Sequence, residues 1–318
     1  MKAMVLAAGL GARMQPLTSL LAKPALPVLN RPLIHWTLQR LRRAGVRDVI
    51  VNTHHLSRTI RAAVGDGSAF GLRVRFSHEA EVLGTGGGPR RVRRWLGGEP
   101  VLLVNGDAWF DFDLRELVRR HLASGALATL ALRPNPDPAS YGPIVTGRDG
   151  VIRSLAGRPR PARGVVSLFT GVHVLDPAIL ERLPAGRSDS VRDLYAPLVA
   201  DGQRLLGVRV RGAWYDFGSA SLYLASQLAL LRGSRARGPW LVHPEARVAA
   251  NAVLERAIVG RGSVIGKASA VRRSVLWDGV VVEAGARVEG SILASGVRIA
   301  AGERVVGEVV TKAQRVKL

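Results

Sequence analysis

The chain has 318 residues, 47% of them hydrophobic and 22% charged, with no cysteine and a formal net charge of +22. That length supports two domains with cores of their own, and the lack of cysteine excludes disulfides, a thiolate zinc site and a cysteine nucleophile, as a reducing cytoplasm would permit. The charge does not single out nucleic acid: 41 of the 46 cationic residues are arginine, they are scattered without a run of five, and at 5% aromatic the chain has few platforms for bases.

The chain begins with an apolar run, Ala3 to Leu6, that reads as a buried strand. It is too short and too soon broken, by Gly9, Gly11 and Arg13, for a signal peptide, and no stretch has the apolar length of a membrane span. A soluble, cytoplasmic protein without a membrane or nucleic-acid partner is expected. After the strand comes Leu6-Ala7-Ala8-Gly9-Leu10-Gly11-Ala12-Arg13-Met14-Gln15-Pro16-Leu17-Thr18, then Lys23-Pro24-Ala25-Leu26-Pro27-Val28. Small residues let main-chain N–H groups approach a phosphate, and two cations, one of them in a proline-stiffened loop, add the charge that a triphosphate needs. A dinucleotide-binding turn would want a third glycine where Met14 stands and an acid at the end of the next strand, where Asn52 stands.

This opening resembles the signature of the sugar-1-phosphate nucleotidylyltransferases, G-x-G-x-R-x-x-P-L-T followed by K-P-x-x-P-V. It departs from that pattern mildly at Ala12, where threonine is usual, and at Ala22, where proline is usual. The resemblance implies that Leu6, Ala7, Ala8, Gly9 and Gly11 bind the nucleotide, with Arg13 and Lys23 on its phosphates.

Further along, Ile34, Leu38 and Leu41 recur at helical spacing between Pro32 and Ala44, ahead of Gly45 and an apolar strand, Val46 to Thr53. Glu81-Val82-Leu83-Gly84-Thr85-Gly86-Gly87-Gly88 looks like the family loop that frames base and ribose, with Thr85, Gly86 and Gly87 on the nucleotide. The next helix is expected from Pro89 to Trp95. A second apolar strand, Val101 to Asn105, ends in Gly106-Asp107, which sets a carboxylate at the C-terminal edge of a sheet, where open α/β folds bind ligands. Asn105 is within reach of a ribose hydroxyl, and Asp107 is the first expected metal ligand. Asp113 reads as the N-cap of a helix to about His121.

Tyr141-Gly142 and Phe169-Thr170-Gly171 match the family's sugar-phosphate segments in position, which implicates Gly142, Thr170 and Gly171. The usual E-K-P run is replaced by Ala156-Gly157-Arg158-Pro159. Strands are expected at Val165 to Leu175 and Leu205 to Val210, with two short helices between them. Trp214-Tyr215-Asp216-Phe217-Gly218-Ser219 resembles the family's W-x-D-x-G-[ST] segment, whose Asp completes a magnesium site on Asp107 and Asp216. Ser219 would cap a helix from Ala220 to about Leu231. The seven histidines have no metal-ligand spacing; His54 and His55 follow a strand and read more readily as surface or core residues.

Beyond a linker at 233–239 the pattern changes. Val242, Val248 and Leu254 recur 17 residues later as Val259, Ile265 and Val271, then as Leu276, Val282 and Val288, and again as Leu293, Ile299 and Val305. Spacings of 6, 6 and 5 fit neither helix nor simple strand, but they fit a solenoid with three short faces per coil. This resembles a left-handed parallel β-helix of hexapeptide repeats.

The expected architecture is therefore α/β: a Rossmann-like, mixed but mainly parallel sheet flanked by helices over 1–232, plus a β-helix over 240–318. The expected reaction joins a nucleoside triphosphate and a sugar-1-phosphate into a nucleotide sugar and pyrophosphate, with Mg2+ as cofactor. Arg13, Lys23, Asp107 and Asp216 are its catalytic residues. The Asn52–Leu56, Asn105–Trp109 and Phe169–His173 segments look most like N-acetylmuramate-1-phosphate uridylyltransferases, which favours UTP. The coils look like those of mannose-1-phosphate guanylyltransferases, which keeps GTP open. A β-helix acyltransferase would need a histidine in the coils, and only His243 follows residue 173. A catalytically silent regulatory paralogue would be expected to lose Lys23 or an acid, and all are present. The coils carry no clustered acid, base or nucleophile, so assembly of a homo-oligomer or stability is their expected role.

Overall fold

The computed structural model describes residues 1–135, 137, 141–160, 163–233 and 238–318. Of the expected linker, residues 234–237 lie outside the described residues. The chain divides into two compact units that do not follow chain order: Met1–Leu10 with Ile34–Tyr215, and Gly11–Leu33 with Asp216–Leu318.

The first unit is built on a mixed sheet. Its parallel centre runs Val101–Asn105, Lys2–Leu6, Asp48–Thr53, Arg73–His78, each strand hydrogen-bonded to the next. Val165–Leu175 is antiparallel to Val101–Asn105 and also pairs with Ala128–Pro134 and Ile144–Thr146. The central strands are almost continuously apolar because both faces are covered. Met4, Ile50, Val101, Leu103, Leu130 and Leu175 share one buried cluster with Leu194, Tyr195 and Leu198.

Helix Leu33–Arg43 forms where the spacing predicts, with Ile34, Leu38 and Leu41 fully buried. Gly45, at φ 87°, ends that segment. Asp113 caps helix Leu114–Ser124, its Oδ1 accepting from the Arg115 N–H at 2.8 Å. One expectation is corrected here. The glycine run is not a loop before a helix at Pro89; the helix spans Gly84–Arg91, and a separate turn, Arg93–Leu96, follows.

In the second unit the 17-residue period is the hydrogen-bond register. Val242 pairs with Val259, Val259 with Leu276 and Leu276 with Leu293; Val248, Ile265, Val282 and Ile299 line up in a second sheet, and Leu254, Val271, Val288 and Val305 in a third. All these ladders are parallel, and from Val259 onward every one of the repeat positions is buried. Alternating residues along each short strand thus fill one interior, as a parallel β-helix requires. The last strand, Arg315–Lys317, turns back antiparallel onto Glu308–Val310 and covers that end of the six-stranded face. Ser219 caps helix Ala220–Gly233, its Oγ accepting from the Leu222 N–H.

Candidate active site

Three parallel strands end level with one another in the first unit, because Leu6 is in register with both Asn52 and Asn105. The turn beyond Leu6 is held by side chain and main chain together. Asn52 Oδ1 accepts from the Ala7 N–H at 2.6 Å, and the Leu6 carbonyl accepts from the Gly106 N–H at 2.8 Å. Ala7 and Ala8 are buried, whereas Gly9 and Leu10 are exposed, and nothing lies within 4 Å of where a Gly9 Cβ would be. This is an open main-chain surface at the C-terminal edge of a parallel sheet, the usual place for a ligand in such folds.

The Asn52 side chain is itself oriented by a residue that the sequence reading did not single out. Asn52 Nδ2 donates to Glu79 Oε1 at 2.8 Å, and Glu79 Oε2 accepts from the Leu83 N–H at 2.9 Å. Glu79 is fully buried, so each carboxylate oxygen needs a donor and has one. The carboxylate thereby joins the first turn to the glycine segment. The sequence signal was there, an acid seven residues upstream of the triple glycine and directly after strand Arg73–His78, but nothing in it said that this acid points inward.

The glycines sit over this network for reasons of space. A Cβ on Gly88 would fall 2.8 Å from Glu79 Oε1, one on Gly86 2.8 Å from Ser188 Oγ, and one on Gly87 2.2 Å from the Gly186 carbonyl oxygen. Main-chain bonds from Gly86 to Ser188 and from Ser188 to Leu83 close the packing. The Thr85 hydroxyl donates to Asp189 Oδ2 and accepts from the Ser190 N–H. One side of this segment is therefore filled by protein.

The sugar-side expectations are brought together in the same unit. Gly171, at φ 78°, lies against Asn105, whose Nδ2 would be 2.6 Å from a Cβ there. Beside it the buried Thr170 donates through Oγ1 to the Ala131 carbonyl, and the Thr170 carbonyl accepts from Trp214 Nε1 at 2.9 Å. The Trp214 ring meets Tyr141 edge-on at 5.7 Å, so the exposed Gly142 is next to a fixed aromatic. Asn105, Gly171, Thr170, Trp214 and Tyr141 are thus joined by successive contacts.

Asp107 is half-buried in the turn between Val101–Asn105 and Ala108–Phe110. The short strand that follows it is backed by Arg40, whose guanidinium lies 4.6 Å from the Trp109 ring centre. Burial pulls the Arg40 pKa down to about 10, which leaves it charged at neutral pH. His54 donates through Nδ1 to the Glu79 carbonyl, 2.9 Å away, a structural contact.

Arg13, Lys23 and Asp216 belong to the second unit. Gly11 has φ 65°, and Thr18 Oγ1 donates to its carbonyl, which folds the loop so that Arg13 is exposed in the turn Ala12–Met14. Lys23 opens the turn Lys23–Ala25 and is only 8% exposed. Asp216 is half-buried, its carboxylate 2.8 Å from where a Gly218 Cβ would be, so that glycine leaves the acid its room. Among the described residues no group of three or more His, Asp or Glu is placed to hold a metal ion.

The family model described as Nucleotidyl transferase matches residues 2–233, well over half of the chain. The chain belongs to the nucleotidyl transferase family. A second family model, the GMPPB C-terminal domain, matches residues 236–317, the coils of this nucleotidyl transferase. It is 37% identical over 225 residues to N-acetylmuramate alpha-1-phosphate uridylyltransferase of Neisseria meningitidis, covering 69% of this chain and 94% of that protein. It is 34% identical over 275 residues to mannose-1-phosphate guanylyltransferase of Mycobacterium tuberculosis, covering 83% and 76%. A match to UTP–glucose-1-phosphate uridylyltransferase of Synechocystis, 31% identical, spans 70% of this chain but 61% of that protein's length. The fold is shared with a putative glucose-1-phosphate thymidylyltransferase from Bacillus anthracis, at a TM-score of 0.64 and 20% identity over 75% of this chain and 98% of that one. No helix among the described residues is long and apolar enough to cross a membrane.

Proposed function

We propose that this nucleotidyl transferase joins a nucleoside triphosphate to a sugar-1-phosphate, in the cytoplasm, with UTP as the favoured nucleotide. The observation that carries the reading is the turn after Leu6, open at Gly9 and held from behind by the bond from the Ala7 N–H to Asn52, with Asn105 and Gly171 packed together at the end of the neighbouring strand. An exposed glycine there gives a polyphosphate room to approach the main chain at a sheet edge.

In the reaction an oxygen of the sugar phosphate attacks the α-phosphorus in line, the bond from that phosphorus to the bridging oxygen breaks, and pyrophosphate leaves. The nucleophile is already largely ionised near neutrality, its second pKa being about 6, so no general base is required. Catalysis then rests on positioning and charge. Arg13, exposed in its turn, holds the departing pyrophosphate. Lys23 offsets charge at the α-phosphoryl group and the sugar phosphate. Asn105 takes a ribose hydroxyl, and Gly142, Thr170 and Gly171 border the sugar.

Asp107 and Asp216 are the residues that would hold Mg2+. They offer hard carboxylate oxygens in half-buried positions, and two protein ligands suit an ion that keeps waters and phosphate oxygens in its remaining positions. When bound, the ion supplies charge neutralisation at the phosphates. Catalysis is assigned to residues 1–232, and assembly of a homo-oligomer or stability to the coils of 240–318.

The uridylyl reading draws on the 37% identity to a uridylyltransferase over nearly the whole of that protein. A guanylyl reading with mannose-1-phosphate is the second, favoured by the match of the coils to the GMPPB C-terminal domain. A panel of four triphosphates against N-acetylmuramate-1-phosphate, glucose-1-phosphate and mannose-1-phosphate, read by pyrophosphate release, separates the two. Highest turnover with UTP supports the first, highest turnover with GTP and mannose-1-phosphate replaces it by the second, and no release with any pair overturns both.

A further inference from the structure

We infer that the β-helix sets the position of the loop carrying Lys23, through a buried relay from Trp277 to Tyr223 to Pro27, so that Tyr223 and Trp277 are positioning residues for nucleotidyl transfer. The inference rests on the proposed transferase reading and concerns how its cation is held.

Every member of the relay lies in the second unit. Trp277 Nε1 donates to the Tyr223 hydroxyl at 3.0 Å, and that hydroxyl donates to the Pro27 carbonyl at 2.5 Å. The direction is fixed by chemistry, since an indole N–H only donates and a carbonyl only accepts. Tyr223 is fully buried and Trp277 nearly so. Burial pushes the Tyr223 hydroxyl far above its ordinary pKa, which keeps its proton available to Pro27.

A second side chain completes the attachment. Gln227, also fully buried, donates to the Pro27 carbonyl at 3.0 Å through Nε2 and accepts from the Leu29 N–H at 2.8 Å through Oε1. It acts as a strand partner would for the segment Pro27–Val28. The turn that follows has Leu29 at φ 50° and Asn30 at φ 61°; asparagine takes that conformation readily, but leucine adopts it only when its surroundings hold it. Here the coils take part again, because Asn30 Nδ2 donates to the Val259 carbonyl at 2.8 Å.

The connection from Pro27 back to Lys23 has little slack. Pro24 and Pro27 each fix φ, the Leu26 N–H donates to the Lys23 carbonyl, and the Leu33 N–H donates to the Leu26 carbonyl. Tyr223 also meets the ring of Phe217, the residue after Asp216, edge-on at 5.7 Å. One buried tyrosine therefore joins three things: the coils, the Lys23 loop and the segment that carries Asp216.

The test uses the full-length chain with Tyr223→Phe and, separately, Trp277→Phe. Tyr223→Phe keeps the ring against Phe217 and removes only the hydroxyl, while Gln227 still binds Pro27. Circular dichroism checks that each variant folds. Two readouts follow. Turnover in the best nucleotide and sugar-phosphate pair should fall about tenfold, with KM for either substrate changed less than about threefold. Labelling of Lys23 by an amine-reactive reagent, followed by mass spectrometry with Lys267 and Lys312 as internal references, should become several-fold faster. In a Lys23→Arg background, Tyr223→Phe should lower turnover by less than about threefold further, because the two changes act on one element. A lowered melting temperature with parental turnover, or with parental Lys23 labelling, overturns the inference, as does full multiplication of the two effects on turnover. If the parent chain itself transfers no nucleotide, the transferase reading fails, and the Lys23 labelling still decides whether the relay holds the loop.

Discussion

Gly9 and the run Gly86 to Gly88 are the same residue type in two segments that meet in one hydrogen-bond network, and they are glycines for opposite reasons. Beside Gly9 there is open space, so the missing side chain leaves room for something that is not protein. Beside Gly86, Gly87 and Gly88 the space is already filled by Ser188, Gly186, Glu79 and Asn52. Helical glycine costs about 0.8–1.0 kcal/mol relative to alanine, and close packing offsets that cost here. A glycine motif thus marks a close approach without saying by what. On the proposed reading the open segment faces ligand, so changes there and at the groups around the ligand should alter turnover and leave stability alone. The filled segment should do the reverse.

The largest effect is expected where the contrast is most extreme, at the two acids proposed to act toward ligand. Asp107→Ala or Asp216→Ala should cut turnover about a hundredfold or more, roughly 2.7 kcal/mol, with little change in sugar-phosphate KM or in melting temperature. Excess chelator should abolish activity of the parent protein. Full pyrophosphate release in chelator would remove the metal from the reading.

Lys23→Arg comes next. A chain that uses arginine at 41 of 46 cationic positions has lysine here, in a loop where the side chain is 8% exposed. A compact ammonium fits as a point charge where the larger planar guanidinium prefers a two-oxygen grip. Single-turnover rates at saturating magnesium and triphosphate should fall about tenfold, roughly 1.4 kcal/mol. A variant within about threefold of the parent would mean that charge alone matters there.

On the filled side, Gly87→Ala should destabilise by about 1–3 kcal/mol, because its Cβ would meet a backbone oxygen that cannot turn away. Urea unfolding measures it, and parental stability would show that the segment has room after all. Gly9→Ala is the smallest in stability, within about 0.5 kcal/mol of the parent, yet it should raise KM for the triphosphate. Unchanged KM would break the comparison, since the open space would then serve no ligand.

The features legible in the chain were those that repeat or sit next to one another. Seventeen-residue recurrence of Val242, Val259, Leu276 and Leu293 is both the apolar pattern and the ladder register, so one signal determines both. Ile34, Leu38 and Leu41 announce a buried helical face in the same way, and strand Val101–Asn105 with its turn at Gly106-Asp107 reads locally. What only the tertiary structure decided lies in single polar side chains with distant partners: Asn52 with Glu79, Thr85 with Asp189, Tyr223 with Pro27 and Trp277. It also decided that Gly84 to Gly88 is helical, and that the loop of Lys23 is compact with the coils rather than with the sheet. Periodicity can show that a residue faces inward, because burial of apolar surface is non-directional and recurs with the backbone repeat. A buried polar group must find a particular donor or acceptor, and which one it meets depends on where the folded backbone brings residues far apart in the chain.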